Sequence, residues 1–444
     1  MIINMTSLPL LWRTDILVVG SGSAGITAAI AAARTGKHVT LVERYGFLGG
    51  TSTAVLDTFY GFYTPGKTSR KVVGGVPDDM LERLFGTNSA IKRPNTFGAG
   101  TGITYDPEML KCVWDDLAVE ADVHILLHSF CTEVIMEGER IVGVVVDGKR
   151  GLMQIRADVV IDATGDADVA FRAGVPIEKA GDLSPAQTLT TTFRLANVDV
   201  TKAARIPRAQ LVEMMKEANR SGNYRLPREE GSIHITPLPG VMLAIMTRLD
   251  GYDPCDPVSL TEAEIEGRRQ AREYIRFLKD NVPGYEEARL INLSTGIGIR
   301  ETRRIYGDYR LTKEDVMAAR KFEDTIGQCG APIEDHHGGK DTIWEFLPEG
   351  VAYDIPYRTL VPQKVEGLLV AGRCFSATHE AHASCRSMAQ CMAMGQAAGM
   401  AAALAVESRK LPRHIDIERL QRDLVAAGAV LYDSQNRDTA ENGL

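Results

Sequence analysis

Residues 15–43 have the sequence DILVVGSGSAGITAAIAAARTGKHVTLVE. The apolar, β-branched run at 15–19 predicts a buried parallel strand, and the glycine-rich stretch at 20–25 predicts a turn. The alanine-rich stretch at 24–35 predicts a helix that Gly36 ends. A second strand is predicted at 38–42, ending at Glu43. This order and length are typical of a βαβ unit.

The turn carries a GxGxxG pattern in the context that a dinucleotide requires. Gly20 makes the tight turn, Gly22 lets the backbone approach a pyrophosphate at the helix N-terminus, and Gly25 allows close helix–strand packing. Glu43 can accept both hydroxyls of an adenosine ribose. A helix-packing turn without a ligand is the disfavoured alternative, because strand, helix and acid are all present. The residues predicted to bind the nucleotide here are Gly20, Gly22, Ser23, Ala24, Gly25 and Glu43.

Three later motifs place small residues beside predicted strand ends. Arg44 leads to Gly49-Gly50-Thr51-Ser52, which suits a loop against a pyrophosphate and an isoalloxazine ring, although an ordinary glycine-rich loop is the alternative. A strand predicted at 159–163 ends in Ala163-Thr164-Gly165. A strand predicted at 368–371 leads to Gly372-Arg373. A helix predicted at 382–405 opens near Arg386-Ser387-Met388, where its N–H groups can face a flavin.

The ordered set of motifs resembles the FAD-binding domain shared by glutathione-reductase-like and p-hydroxybenzoate-hydroxylase-like flavoproteins. More narrowly, it resembles the FAD-dependent oxidoreductase family through residues 49–52, 298–304 and 371–399. The resemblance spans roughly residues 14–405 and implies FAD as the cofactor. It also implies backbone contacts to adenine from Cys131 to Val134.

The predicted fold class is α/β: a discontinuous, Rossmann-like FAD-binding domain with an inserted α+β substrate domain. We assign residues 14–60, 106–178 and 356–410 to the FAD-binding domain, and residues 61–105 and 179–355 to the substrate domain. Residues 411–444 are predicted to form a C-terminal helical segment. Other predicted helices lie at 80–85, 107–120, 208–220 and 262–280, and a hairpin at 134–146 and 152–155.

Composition excludes several classes of function. The 444 residues carry a formal charge of −8, which argues against nucleic-acid partners and anionic membranes. Seven cysteines without a CxxC pair argue against disulfides, a zinc site and an iron–sulfur cluster, so we expect no metal and a cytoplasmic location. The apolar run at 392–406 is too short for a membrane span. A second GxGxxG is absent, which disfavours disulfide reduction and a stably bound nicotinamide.

The stretch 379–386, predicted as a loop passing the flavin, holds the candidate reacting groups. His382 or His379 could act as a base, and Arg386 could hold an anion or contact the flavin. Alternatively these side chains only shape the cofactor site. Cys385 is expected to be a packed thiol rather than a reactive one.

Arg300 is a second candidate, because arginine can hold a substrate carboxylate bidentately. Its alternative is an ion-pair cluster with Glu301, Arg303 and Arg304. His336-His337 beside Asp335 could indicate a metal, but a solvated loop is preferred. Tyr60, Tyr63 and Tyr105 either line the substrate pocket or pack in the core.

The predicted reaction is the oxidation of a small-molecule substrate by hydride transfer to flavin N5. The electron acceptor is left open between O2, a quinone and a redox protein. Two alternatives remain: a flavin monooxygenase or halogenase, and an electron-transfer subunit of a larger complex. A homo-oligomer is compatible with the sequence.

Overall fold

The computed structural model describes residues 8–67, 69–94, 98, 100–337 and 342–432. The strands are Leu10–Val19 (β1), Val39–Val42 (β2), Thr58–Phe59 (β3), Ala90–Pro94 (β4), Thr101–Tyr105 (β5), His124–Leu126 (β6), Phe130–Glu137 (β7), Arg140–Gly148 (β8), Gly151–Asp162 (β9), Ile177–Lys179 (β10), Phe193–Ala196 (β11), Ser232–Ile235 (β12), Met242–Ile245 (β13), Arg289–Leu293 (β14), Arg303–Ile305 (β15), Thr325–Cys329 (β16), Ile333–Asp335 (β17), Ile343–Glu345 (β18), Tyr353–Pro356 (β19) and Leu368–Val370 (β20). The helices are Ser23–Ala33 (α1), Thr51–Ala54 (α2), Val76–Gly86 (α3), Pro107–Glu120 (α4), Asp168–Arg172 (α5), Val200–Ala203 (α6), Arg208–Arg220 (α7), Pro257–Asn281 (α8), Lys313–Met317 (α9), His379–Cys385 (α10), Met388–Ser408 (α11) and Ile417–Ala426 (α12).

The main sheet is of the Rossmann type. Its parallel strands follow the order β6, β2, β1, β9 and β20, and the carboxyl ends of β1, β2, β9 and β20 meet at one edge. The β7–β8 hairpin pairs antiparallel with the first half of β9. The strands come from widely separated parts of the chain, which confirms the discontinuous α/β fold.

Small residues let α11 pack directly against α1. A Cβ added at Gly395 would lie 2.0 Å from the carbonyl oxygen of Ala24, and one at Gly399 would lie 2.2 Å from that of Ala28. The apolar run at 392–406 is too short to cross a membrane, but α11 extends beyond it and is long and apolar enough to do so by length and composition. In the fold, 83% of its apolar window is buried inside the protein, so it serves as a core helix.

A second, antiparallel sheet lies in the inserted part of the chain, in the order β12, β13, β11 and β14. A separate core forms around it, in which Phe193 of β11 packs with Met215 of α7 and Phe277 of α8. This is the α+β insertion that the sequence predicts.

Three sequence predictions about elements are wrong. Residues 379–385 form α10 rather than a loop, since Thr378 caps the segment by accepting a hydrogen bond from the Ala381 N–H. The helix predicted at 382–405 is two helices, because Ser387 has extended backbone angles and starts α11 anew. The two strands predicted at 152–155 and 159–163 are one continuous strand, β9.

Candidate active site

A cavity of about 320 Å³ opens at the carboxyl edge of the main sheet. Residues that follow β1, β2, β9 and β20 line it, including Gly20, Glu43, Ala163 and Ala371. The inserted segment closes another wall with Thr190, among others. A crevice beyond the carboxyl ends of parallel strands is where open α/β folds bind ligands, and this size is typical of a small-molecule site.

The N-terminus of α1 faces the cavity. Gly22 is the N-cap, the described structure shows no side-chain hydrogen bond that caps the helix, and the first turn holds no acidic residue. Gly50 packs on Gly22 so closely that a Cβ there would lie 2.7 Å from the Gly22 Cα. Uncapped N–H groups at a helix N-terminus favour an anion, so this end of the cavity fits a pyrophosphate.

Glu43 is fixed at the end of β2 and is 5% exposed. Its Oε2 accepts from the Ser21 N–H at 2.8 Å and from the Ser21 hydroxyl at 2.7 Å, while Oε1 accepts from the Tyr45 N–H at 2.8 Å. The carboxylate lines the cavity and retains acceptor capacity on each oxygen. It therefore fits the hydroxyls of an adenosine ribose.

Most of the residues predicted to bind the cofactor lie together on the cavity wall. They are Gly20, Gly22, Ser23, Ala24, Glu43, Arg44, Gly50, Thr51, Ala163, Thr164, Gly165, Gly372, Arg373, Arg386, Ser387 and Met388. Cys131, from the segment expected near adenine, also lines the cavity.

Gly25, Gly49 and Ser52 lie behind this wall and support it. A Cβ at Gly25 would lie 1.7 Å from the Gly20 carbonyl oxygen, which explains the glycine by packing. The Gly49 N–H donates to Ser21 O at 3.0 Å, and the Ser52 hydroxyl donates to Gly49 O at 2.8 Å. These bonds hold the 49–52 turn against the glycine-rich turn.

The histidines of α10 do not line the cavity. His382 is fully buried, and its Nε2–H donates to the carbonyl oxygen of Arg373 at 2.7 Å. Burial and the positive charges of Arg304 and Arg386 lower the pKa of His382 well below its usual value. His382 therefore stays neutral and holds the Arg373 turn in place.

His379 links two elements of the fold. Its Nδ1 lies 3.1 Å from Glu301 Oε1, and its Nε2 lies 3.1 Å from Asp335 Oδ1. Both ring nitrogens thus face carboxylates, and α10 is tied to β17. Neither α10 histidine has the access to a substrate that a base requires.

Residues 300–304 divide between the two interpretations that the sequence allows. Arg300 lines the cavity, and its Nη1 donates to Thr188 O at 2.6 Å. Arg304 is buried and forms ion pairs with Glu178 and Glu301. The stretch therefore supplies one arginine to the cavity and a buried ion-pair cluster behind it.

Sequence reasoning misplaced His336 and missed Arg228. His336 is 3% exposed rather than solvated, and it lines the cavity with Glu334 and Arg228. Among the described residues no cluster suited to a metal is found. No local motif marks Arg228, which reaches the cavity only through the folding of the insertion. Of the three tyrosines, Tyr60 lines the cavity, while Tyr105 is buried and donates to Ser52 O at 2.9 Å.

These features define a Rossmann-type flavoprotein. The part of its crevice that fits a dinucleotide continues into a polar pocket. A model of the family described as FAD dependent oxidoreductase matches residues 15–424. The chain belongs to this family; it is an enzyme, and its cofactor is FAD.

Curated relatives with different reactions resemble part of the chain. Thiamine thiazole synthase of Aeropyrum pernix is 31% identical over 36% of this chain and 57% of its own length. Digeranylgeranylglycerophospholipid reductase 2 of Methanopyrus kandleri is 29% identical over 43% of this chain and 46% of its own. A fumarate reductase (cytochrome) of Shewanella frigidimarina is 25% identical over 34% of this chain and 33% of its own length. The chain thus spans less than two thirds of each relative.

Solved structures show more distant likeness. A geranylgeranyl bacteriochlorophyll reductase-like protein from Thermoplasma acidophilum has a TM-score of 0.47 at 14% identity, covering 94% of this chain and 84% of its own. A flavin-dependent brominase has a TM-score of 0.48 at 14% identity, covering 93% and 83%.

Proposed function

We propose that this enzyme oxidises a small organic substrate, acting as a dehydrogenase or oxidase. The observation that carries the proposal is the continuity of the cavity from the nucleotide-shaped turn at Gly22 to a polar pocket at Arg300 and His336. FAD, when bound, supplies the hydride acceptor for such a reaction. The chain supplies binding and orientation of both partners.

The polar pocket is built largely by the segment that we assign to the substrate domain. Arg228, Ser232, Glu334 and His336 come from residues 179–355, and all of them line the cavity. This placement supports the proposed division into an FAD-binding domain and a substrate domain.

His336, unlike the α10 histidines, lines the cavity, and hydrogen-bond partners engage both of its ring nitrogens. Its Nε2 lies 2.9 Å from Glu334 Oε1, and its Nδ1 lies 3.0 Å from Thr342 Oγ1. Burial and the charge of Arg300 lower the pKa of His336 well below its usual value, so the imidazole is neutral. The Thr342 hydroxyl also lies 2.8 Å from Glu230 Oε1, which extends the chain of hydrogen bonds beyond the cavity.

Anaerobic mixing of the FAD-loaded protein with a panel of small metabolites tests the proposal. The expected result is saturable loss of the flavin's visible absorbance with one compound class and slow loss with NADH or NADPH. Slow reduction by nicotinamides is expected because the sequence holds no second GxGxxG. Saturable bleaching by NADPH on the timescale of turnover would instead favour the monooxygenase or halogenase alternative.

A further inference from the structure

Arg228, Arg300 and Arg386 line one region of the cavity without a carboxylate partner. Among the described residues, none of the three forms an ion pair, and their guanidinium groups donate to neutral oxygens. Arg228 is 4% exposed, and the Nε atoms of Arg228 and Arg386 are buried without a hydrogen-bond partner in the described structure. Burying a cation without a counter-charge is costly.

Two other arginines with little exposure are paired with carboxylates. Arg194 lies 2.6 Å from the buried Asp57, and Arg304 lies between Glu178 and Glu301. Carboxylates therefore neutralise these two arginines, which do not line the cavity. The unpaired set in the cavity departs from that pattern and calls for a different explanation.

Neutral acceptors hold the three guanidinium groups in place without cancelling their charge. The bonds are Arg300 Nη1 to Thr188 O (2.6 Å), Arg386 Nη2 to Gln187 Oε1 (2.8 Å) and Arg228 Nη1 to Ile245 O (3.3 Å). All three groups line the same cavity, where burial and the like charges of Arg228 and Arg386 lower the pKa of Arg300 well below its usual value. Such crowding is tolerated when the groups share an anion.

Glu334 offsets only part of this charge. Burial raises its pKa, but the hydrogen bond with His336 and the charges of Arg386 and Arg300 outweigh burial and lower the pKa below its usual value. Glu334 is therefore ionised at neutral pH, and its Oε1 is already engaged by His336 at 2.9 Å. With His336 neutral, the three arginines outnumber Glu334, so positive charge is in excess at this part of the cavity.

We infer that the substrate carries an oxyanion group, a carboxylate or a phosphate, which binds between Arg228 and Arg300. That the bound anion belongs to the substrate rests on the proposed function, whereas the anion site itself does not. The planar guanidinium fork suits both oxyanions. Because positive charge is in excess, a dianion binds more tightly than a monoanion.

Binding of simple anions to the FAD-loaded protein tests the inference. The probes are succinate, acetate and inorganic phosphate, with succinamide as the neutral control, and the readouts are the flavin's visible spectrum and Tm. We expect saturable spectral shifts and a raised Tm with carboxylates or with phosphate, tighter binding of succinate than of acetate, and no effect of succinamide. If only phosphate binds, the oxyanion is a phosphate.

Arg300→Gln should weaken the binding of these anions about 10- to 100-fold, the scale of one charge-assisted hydrogen bond. Arg300→Lys keeps the charge but loses the guanidinium fork, so its anion affinity should lie between those of the wild type and Arg300→Gln. The matched control is Arg419→Gln, which removes an exposed arginine that pairs with Glu407 on the surface and should leave anion binding unchanged.

Stability separates a ligand site from a structural one. In an anion-free buffer, Arg300→Gln should have a Tm equal to or above that of the wild type, because it removes a half-buried cation that forms no ion pair among the described residues. A lower Tm with wild-type anion affinity would overturn the inference, as would the absence of any anion effect. If anions bind but no organic acid bleaches the flavin, the proposed function fails while the anion site stands.

Discussion

Gly22 and Gly25 lie three residues apart in one turn, but glycine is required at the two positions for different reasons. A Cβ at Gly22 would meet only the Ala163 carbonyl oxygen, at 4.0 Å, whereas one at Gly25 would lie 1.7 Å from Gly20 O. Gly22→Val should therefore fold but lose FAD, since its side chain fills the pyrophosphate space. Gly25→Ala should lose about 3 kcal/mol of stability.

Flavin content after purification and urea unfolding of the apoproteins measure the two effects separately. A Gly22→Val protein that retains FAD at the wild-type level would show that the turn does not hold the pyrophosphate. The glycine pattern and Glu43 could be predicted from sequence because each is required by local backbone geometry or by reach within one βαβ unit.

His382 illustrates the opposite case at the same scale. Loss of its buried ring and of the bond to Arg373 O should destabilise His382→Ala by about 2–4 kcal/mol, measured by urea unfolding. The pH dependence of flavin reduction should stay that of the wild type. A stable variant that reduces its flavin about 10²-fold more slowly would restore the role of base.

Among the helices and strands, the packing of α11 against α1 contributes to the stability of the FAD-binding part of the fold. In Gly395→Ala, the new methyl would lie 2.0 Å from Ala24 O and 2.3 Å from Thr27 Oγ1, so α11 must shift away from α1. We expect a loss of about 1–3 kcal/mol in unfolding free energy and weaker FAD retention.

Gly86→Ala is the matched control on a helix. A Cβ at Gly86, the last residue of α3, would meet no atom within 4 Å, so alanine should add about 0.5–1 kcal/mol. Equal effects of the two substitutions would contradict the packing account of α11.

Elements with strong local signals could be predicted, and those decided by capping could not. Helices α4 and α7 have the predicted bounds, because their apolar periodicity and flanking residues agree. The division of α10 from α11 depends on the backbone at Ser387 within an alanine-rich stretch. No change in hydrophobic pattern marks that division.

At the scale of the whole molecule, the cavity joins segments that are far apart in sequence. Gly22, Arg228, Arg300 and Arg386 meet there although they lie in four separated parts of the chain. The cofactor end follows from motifs that keep a fixed relation to the strands of one fold. The substrate end depends on how the insertion closes, so Arg228 and His336 could not be placed from sequence.

The identity of the cofactor in the purified protein tests the central claim most directly. Glu43 is placed to bind an adenosine ribose, which FMN lacks. Cofactor released by heat should comigrate with FAD and be present in equimolar amount with the chain. Release of FMN would contradict the account. So would a colourless protein that retains no FAD after incubation with FAD and removal of the unbound cofactor.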